Sequence, residues 1–222
     1  MVIAIDGPAG AGKSTVARAV ARELGFTYLD TGAMYRAVGL ASTQEGGAPA
    51  EIAHRVGIEG GDRVFIDDRD VTDAIRTPEV SKAASRVAAD PAVRAVLVAK
   101  QQAIMADGDW VAEGRDIATV VAPDAAVKVF LTADPNERAR RRFQQRGGDP
   151  DEVRRDQDER DRRDASADRS VHEPAPDAIP LDTTGLSLDE VVGQVVTLAV
   201  ERNVAEGERL GRRSPGRRKT SS

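Results

Sequence analysis

Residues Gly7-Pro8-Ala9-Gly10-Ala11-Gly12-Lys13-Ser14-Thr15 hold the chemistry most plainly, since Gly7-x-x-x-x-Gly12-Lys13-Ser14 has the spacing of a phosphate-cradling loop. Backbone N–H groups can turn inward around phosphate oxygens only where no Cβ obstructs them, and the glycines permit this. A lysine at this place reaches β- and γ-phosphate oxygens, and the Ser14 hydroxyl suits Mg²⁺. Residues 7–15 are therefore expected to bind a nucleoside triphosphate, with Lys13 supplying charge to the reacting phosphate. A GTPase reading fails because the chain has no Asn-Lys-x-Asp segment; Asp182-Thr183-Thr184-Gly185 fits Asp-x-x-Gly only formally, near the C-terminus. At 222 residues the chain is too short for a helicase or transporter ATPase. Between residues 136 and 169 stand 11 arginines against 10 acidic residues. Such a segment suits phosphoryl transfer to a small acceptor, where positioning and charge neutralisation carry the catalysis.

A phosphate loop works only between a strand and a helix. Val2-Ile3-Ala4-Ile5 reads as a buried strand, and Val16, Ala19, Val20 and Leu24 set a helical stripe that Gly25 stops. Phe26 to Leu29 is a second strand, ending on Asp30-Thr31-Gly32, with a helix from about Ala33. This alternation predicts an α/β fold with a parallel sheet covered on both faces. Residues 44–75 read as a small β insertion, with Val64-Phe65-Ile66 among glycines and aspartates. Helices are expected over Thr77–Ala89 and Pro91–Met105, the second capped by Asp90. Trp110–Ala112, Val127–Leu131 and Ile179–Asp182 are further strands, and Ser187 to Glu201 a last helix. From Arg202 to Ser222 the 7 basic and 2 acidic residues among Gly, Ser and Pro predict a flexible basic tail.

Composition narrows the classes further. With no cysteine, disulfide scaffolds, thiolate catalysis and cysteine-ligated metals are excluded, and the histidines, His54 and His172, read as surface residues. The net charge of −5 calls for neither nucleic acid nor membrane, and 3% aromatics leave few stacking platforms for single strands. No apolar run approaches the roughly 20 residues of a bilayer span, and the opening has no signal-peptide pattern. A cytoplasmic monomer acting on small molecules is expected.

Six ordered segments then define a resemblance. They are Ile5 to Ser14, Leu29-Asp30-Thr31-Gly32-Ala33-Met34-Tyr35-Arg36, Ile75-Arg76-Thr77-Pro78-Glu79-Val80, and Glu113-Gly114-Arg115-Asp116-Ile117 with Thr119-Val120-Val121. Pro123-Asp124-Ala125 and Asp182-Thr183-Thr184 complete the set. From about residue 2 to residue 200 the chain resembles the bacterial-type cytidylate kinases of the nucleoside monophosphate kinase group. The resemblance implies a phosphate-loop (P-loop) kinase sandwich: about five mostly parallel strands flanked by helices, with a small β insertion and a short lid. It implies one kinase domain over 1–201, with a core of 1–43, 76–135 and 170–201. The monophosphate-side insertion would be 44–75, the lid and charged helical segment 136–169, and the tail 202–222. The activity implied is ATP-dependent phosphorylation of CMP and dCMP in pyrimidine metabolism, with Mg²⁺.

Residue by residue, the resemblance places Thr31, Tyr35 and Arg36 in the monophosphate-binding turn, with Arg36 and Arg115 holding the acceptor phosphate. A planar, always-charged guanidinium suits a phosphate dianion. Ser85, Arg94 and Asp116 match the cytosine-reading positions. Asp116 and the Ser85 hydroxyl would accept from the exocyclic amino group while Arg94 donates to N3 and O2, and uracil would present a carbonyl to the carboxylate. Plain packing for Ser85 on its alanine-rich helix, and a solvated helix arginine for Arg94, are the alternatives. Arg160 and Asp164 match the ribose-contacting pattern one helical turn apart, as an ordinary i,i+4 ion pair also would. Lys13, Arg115 and Arg160 are the expected catalytic residues. Arg138, Arg140, Arg141 and Arg142 resemble the lid that closes over ATP. The family's further phosphate-contacting arginine falls at Ala167 here, and His172-Glu173-Pro174-Ala175 replaces a usual Ser-Pro-Leu. Arg169 is expected to take that arginine's role, with Arg163 as the alternative. Two rivals stand beside this reading: a phosphate-loop kinase for another small acceptor, and a nucleotide-sensing module without transfer.

Overall fold

A computed structural model of the chain describes residues 1–147, 149–166 and 174–212, leaving aside the side chains at 145, 146, 150, 152, 160, 161, 163–166 and 204–212. β1 (Val2–Asp6) turns at the phosphate loop into α1 (Lys13–Leu24), which starts on Gly12 at φ 92° and stops on Gly25 at φ 70°. Only glycine enters this left-handed region cheaply. The α1 stripe turned inward is Val16, Ala17, Val20 and Ala21, so Ala17 and Ala21 take the places expected of Ala19 and Leu24. β2 (Thr27–Asp30) leads directly into α2 (Thr31–Gln44), whose first turn is capped by Asp30 accepting from the Ala33 N–H at 2.9 Å.

The segment over 44–75 holds more than strands. α3 (Pro49–Arg55) precedes an antiparallel sheet of β3 (Val56–Glu59), β4 (Arg63–Ile66) and β5 (Arg69–Asp70). The helix escaped notice because only Ile52 and Ala53 of its seven residues are buried, too few to show a period. α4 (Pro78–Val87) and α5 (Pro91–Ile104) follow with proline at the first turn; Asp90 caps α5 as expected, and Thr77, expected as the first helical residue, caps α4 instead. Then come β6 (Trp110–Glu113), β7 (Val127–Thr132), α6 (Pro135–Arg146), α7 (Pro150–Ser166), β8 (Ile179–Asp182) and α8 (Leu188–Arg212).

The main sheet has the order β2-β6-β1-β7-β8, every pair parallel. Its central strand is β1, where Ile3, Ala4 and Ile5 are 0% exposed. One apolar cluster lies between the sheet and α1 with α8; another joins α2 through α5 to the insertion; a third covers the opposite face of β1 and β6. Because β1 has later strands on both sides, the chain switches direction there, and such switch points open a crevice at the strand C-termini. Register makes those ends level: Ile5 and Asp30 both pair with Glu113.

The C-terminal segment differs from expectation. α8 continues to Arg212 instead of ending near Glu201, so the part of the basic segment over 202–212 is helical; residues 213–222 lie outside the described ones. Val191, Val195 and Ala199 pack the helix on the core, and Arg202 donates from Nε to the Ala126 carbonyl at 2.9 Å. A helix anchored so can propagate one hydrogen bond per residue beyond its packed turns. Among the described residues no helix is long and apolar enough to cross a membrane.

Candidate active site

A carboxylate closes each of β1, β2 and β6: Asp30 and Glu113 line the crevice, and Asp6 lies buried beneath it. Asp6 is 3% exposed and accepts from the Ile117 N–H at 3.0 Å and the Ala118 N–H at 2.8 Å. Burial pushes its carboxyl up to about 6; the two N–H groups and Lys13 oppose the shift, while Asp116 adds to it. Glu113 accepts from the Ser14 hydroxyl at 2.6 Å and the Tyr28 hydroxyl at 3.3 Å. Complete burial raises its carboxyl and Asp30 adds repulsion, against the pull of Lys13, Ser14 and Arg36. Asp30 binds Arg36 Nη2 at 2.8 Å, which aims that guanidinium along the crevice wall.

The phosphate loop is held from three sides. Lys13 Nζ donates to the Pro8 carbonyl at 2.9 Å across the loop. Arg138, buried on α6, donates to the Ala9 carbonyl at 2.9 Å, and Gln157 on α7 reaches the same oxygen at 3.3 Å. Arg115 Nη1 donates to the Gly7 carbonyl at 3.1 Å. Gly10 has no room for a side chain, since a Cβ there would stand 2.8 Å from the Arg138 carbonyl oxygen. Arg141 clasps Thr183 through Nη1 to the hydroxyl and Nη2 to the carbonyl, both at 2.8 Å, while its Nε and Arg140 bind Glu137.

A cleft of about 1280 Å³ runs from the phosphate loop past the end of β6 to α4. Gly10, Gly12, Lys13, Ser14 and Thr15 line one end; Thr31, Tyr35, Arg36, Ser85, Arg115 and Asp116 line the other; Arg140, Arg141 and Arg142 border it from α6. Arg138 differs from Arg140, Arg141 and Arg142 in being held beneath the loop. At the far end Arg94 Nη2 donates to Asp116 Oδ2 at 2.7 Å, with 18% and 9% of the side chains exposed. Arg94 Nη1 and the Ser85 hydroxyl are buried with no hydrogen-bond partner. Unpaired polar atoms at such depth cost about 1–3 kcal/mol each, which a polar ligand would relieve.

Arg160 and Asp164 lie on α7, but their side chains, with those of Arg163 and all of Ala167, Arg169 and His172, fall outside the described residues. His54 is exposed on α3, as expected. Sequence reasoning passed over Asp6, Asp30, Glu113, Gln157 and Thr183. A signal for the first three was available: each is an acid closing a short apolar strand, and strand C-termini line the crevice in such sheets. Gln157 and Thr183 had none, since their roles arise from α7 and β8 meeting the loop.

The order of the sheet, the phosphate loop at its switch point and the arginines lining the same cleft are those of a small phosphate-loop kinase. Among solved structures, a gluconokinase from Sinorhizobium meliloti 1021 shares this fold, with a TM-score of 0.52 at 17% identity over 93% of this chain and 96% of its own. The sequence profile of the cytidylate kinase family matches residues 3–201, and the chain belongs to that family. A cytidylate kinase of Desulfitobacterium hafniense (strain Y51) is 50% identical over 211 residues, 88% of this chain and 91% of its own. One of Carboxydothermus hydrogenoformans is 45% identical over 219 residues, 91% and 99% of the two chains. A bifunctional pantoate ligase/cytidylate kinase of Trichormus variabilis is 49% identical over 90% of this chain, which spans 41% of that protein.

Proposed function

We propose that this chain transfers the γ-phosphoryl group of ATP to CMP or dCMP, giving ADP and CDP or dCDP, the reaction of the cytidylate kinase family. The observation that carries the choice of acceptor is the Arg94–Asp116 pair with the unpartnered Ser85 hydroxyl and Arg94 Nη1 beside it. That set offers acceptors to an exocyclic amino group and donors to N3 and O2, the pattern of cytosine. Arg36 and Arg115 would take the acceptor phosphate, with Thr31 and Tyr35 shaping the turn. Gly7 to Thr15 would cradle the ATP phosphates, and Arg140, Arg141 and Arg142 close over them.

The residues suit Mg²⁺, because the Ser14 hydroxyl and the Glu113 carboxylate stand together at the loop. Bound there with ATP, the ion would neutralise charge on the transferring phosphoryl group. Lys13 and Arg115 lie at the two ends of the path between donor and acceptor, and each contributes positive charge without needing a proton. No general base is required, since the acceptor is already an oxyanion, and no covalent intermediate on the protein is involved. Arg160 and Asp164 at the ribose and Arg169 at a phosphate rest on the family resemblance alone. The same reading divides the chain into a core, a monophosphate-side insertion over 44–75 and a lid over 136–169, in a cytoplasmic monomer.

A nucleotide sensor would have no use for the second arginine-lined site. The test is a coupled ADP-release assay across CMP, dCMP, UMP, AMP and GMP. CMP and dCMP are expected to have the highest kcat/KM; preference for a purine monophosphate, or ATP binding without transfer to any of the five, would overturn the proposal.

A further inference from the structure

Asp6 is buried, charged and between the two ends of the cleft, yet it lines neither. Its oxygens divide between the backbone N–H groups of Ile117 and Ala118, which open a short π-helical turn over Ile117–Val121. The first N–H groups of any helical turn have no partner within it, so a bidentate carboxylate satisfies two at once. Asp116, the residue before the turn, is held at φ −144° and ψ 27°. Two more links tie the same segment to β1: the Gly114 N–H donates to the Ile5 carbonyl at 3.1 Å, and Arg115 Nη1 to the Gly7 carbonyl at 3.1 Å. Residues 5–7 lead into the phosphate loop, and residues 114–118 carry Arg115 and Asp116.

We propose that Asp6 is a positioning residue that locks the Arg115–Asp116 segment to the root of the phosphate loop, so that acceptor phosphate and acceptor base are held in fixed register with the donor. The inference rests on the reading of Arg115 and Asp116 as acceptor residues. Asp6 itself touches no substrate. Its side chain sets where the π turn begins, and hence the direction in which Asp116 faces Arg94. A carboxylate is required because both partners are donors. An amide would meet one of the two N–H groups with its own NH₂ and release it, loosening the acceptor wall while leaving the phosphate loop's glycines and Lys13 in place.

Asp6→Asn, nearly identical in shape, is the variant to measure, with KM and kcat for CMP, UMP and ATP and a thermal melt. KM for CMP is expected to rise about tenfold and the CMP:UMP preference to fall about fivefold or more, with KM for ATP changed less than about twofold. If the variant does not fold, Asp6→Glu carries the test. It keeps the charge and both acceptors but displaces them by one methylene, and the same unequal effect on CMP and ATP is expected. Unchanged kinetics, or equal rises in both KM values with the CMP:UMP ratio intact, would overturn the proposal and reduce Asp6 to a structural group. Wild-type protein inactive on CMP would instead overturn the parent reading, before any variant is made.

Discussion

Asp116→Asn separates base reading from mere packing. The substitution keeps the volume and one acceptor oxygen, so Arg94 retains a hydrogen bond from Nη2, now to a neutral group. The side chains of the pair are only 18% and 9% exposed, which makes the weakened contact costly. A hydrogen bond to a charged partner is worth about 1.5–3 kcal/mol, roughly twice a neutral one, so stability is expected to fall by about 1–2 kcal/mol. At about 2–4 °C per kcal/mol for a chain of this size, the midpoint of a melt should drop by about 2–8 °C. In turnover, losing the charged acceptor for the cytosine amino group at about 1.5–3 kcal/mol lowers kcat/KM for CMP about 10- to 150-fold. UMP should lose little, because an amide NH₂ can donate to the uracil carbonyl that a carboxylate repels. Steady-state ADP release with CMP and UMP in parallel gives the ratio. Equal losses for both bases would refute the assignment and leave Asp116 as a strut for Arg94.

Lys13→Ala should remove most transfer activity, about 10²-fold or more in kcat, with a near-wild-type melt, because it deletes charge at the reacting phosphate and no core volume; near-normal turnover would contradict the phosphate-loop assignment. Gly39→Ala should destabilise by about 1–2 kcal/mol despite alanine's better helix propensity, since its Cβ would stand 2.7 Å from the Ala84 backbone nitrogen on α4. A melt at or above the wild type would show that α4 can yield. Stability should also carry a signature of Asp6. Its carboxyl moves from 3.8 to about 6 on folding, so the folded state holds the proton more tightly and ionisation there costs about 3 kcal/mol. Asp116 raises that value and Lys13 lowers it. Wild-type stability relative to Asp6→Asn should therefore be greatest below about pH 4 and decline by about that amount as pH rises past 6. Denaturant titrations at several pH values read this difference; a flat or rising one would contradict the shift.

The phosphate loop, the alternating strands and helices and most element boundaries were legible in the sequence, because each depends on neighbours in the chain. Glycine spacing fixes Gly7 to Ser14, buried β-branched runs mark β1 and β7, and Asp90-Pro91 announces a helix start. The ordered segments also pointed to the cytidylate kinase family, which the matches with relatives bear out. The sheet order could not be read locally. β6, 108 residues after β1 in register, pairs between β1 and β2, and that choice alone brings Glu113 to Ser14 and Asp30. Likewise Asp6 binds Ile117 across 111 positions, and Arg138 and Gln157 meet the Ala9 carbonyl from two separate helices. These contacts depend on which apolar faces bury each other, a global balance with no short-range signature. The helix α3 and the extension of α8 past Glu201 escaped for the opposite reason: α3 buries only Ile52 and Ala53, and Arg202 and Asn203 at the start of the extension are exposed, so no apolar stripe announced either helix. Residue types and spacing determined what chemistry this chain can perform; the tertiary structure decided which charges face one another across the cleft.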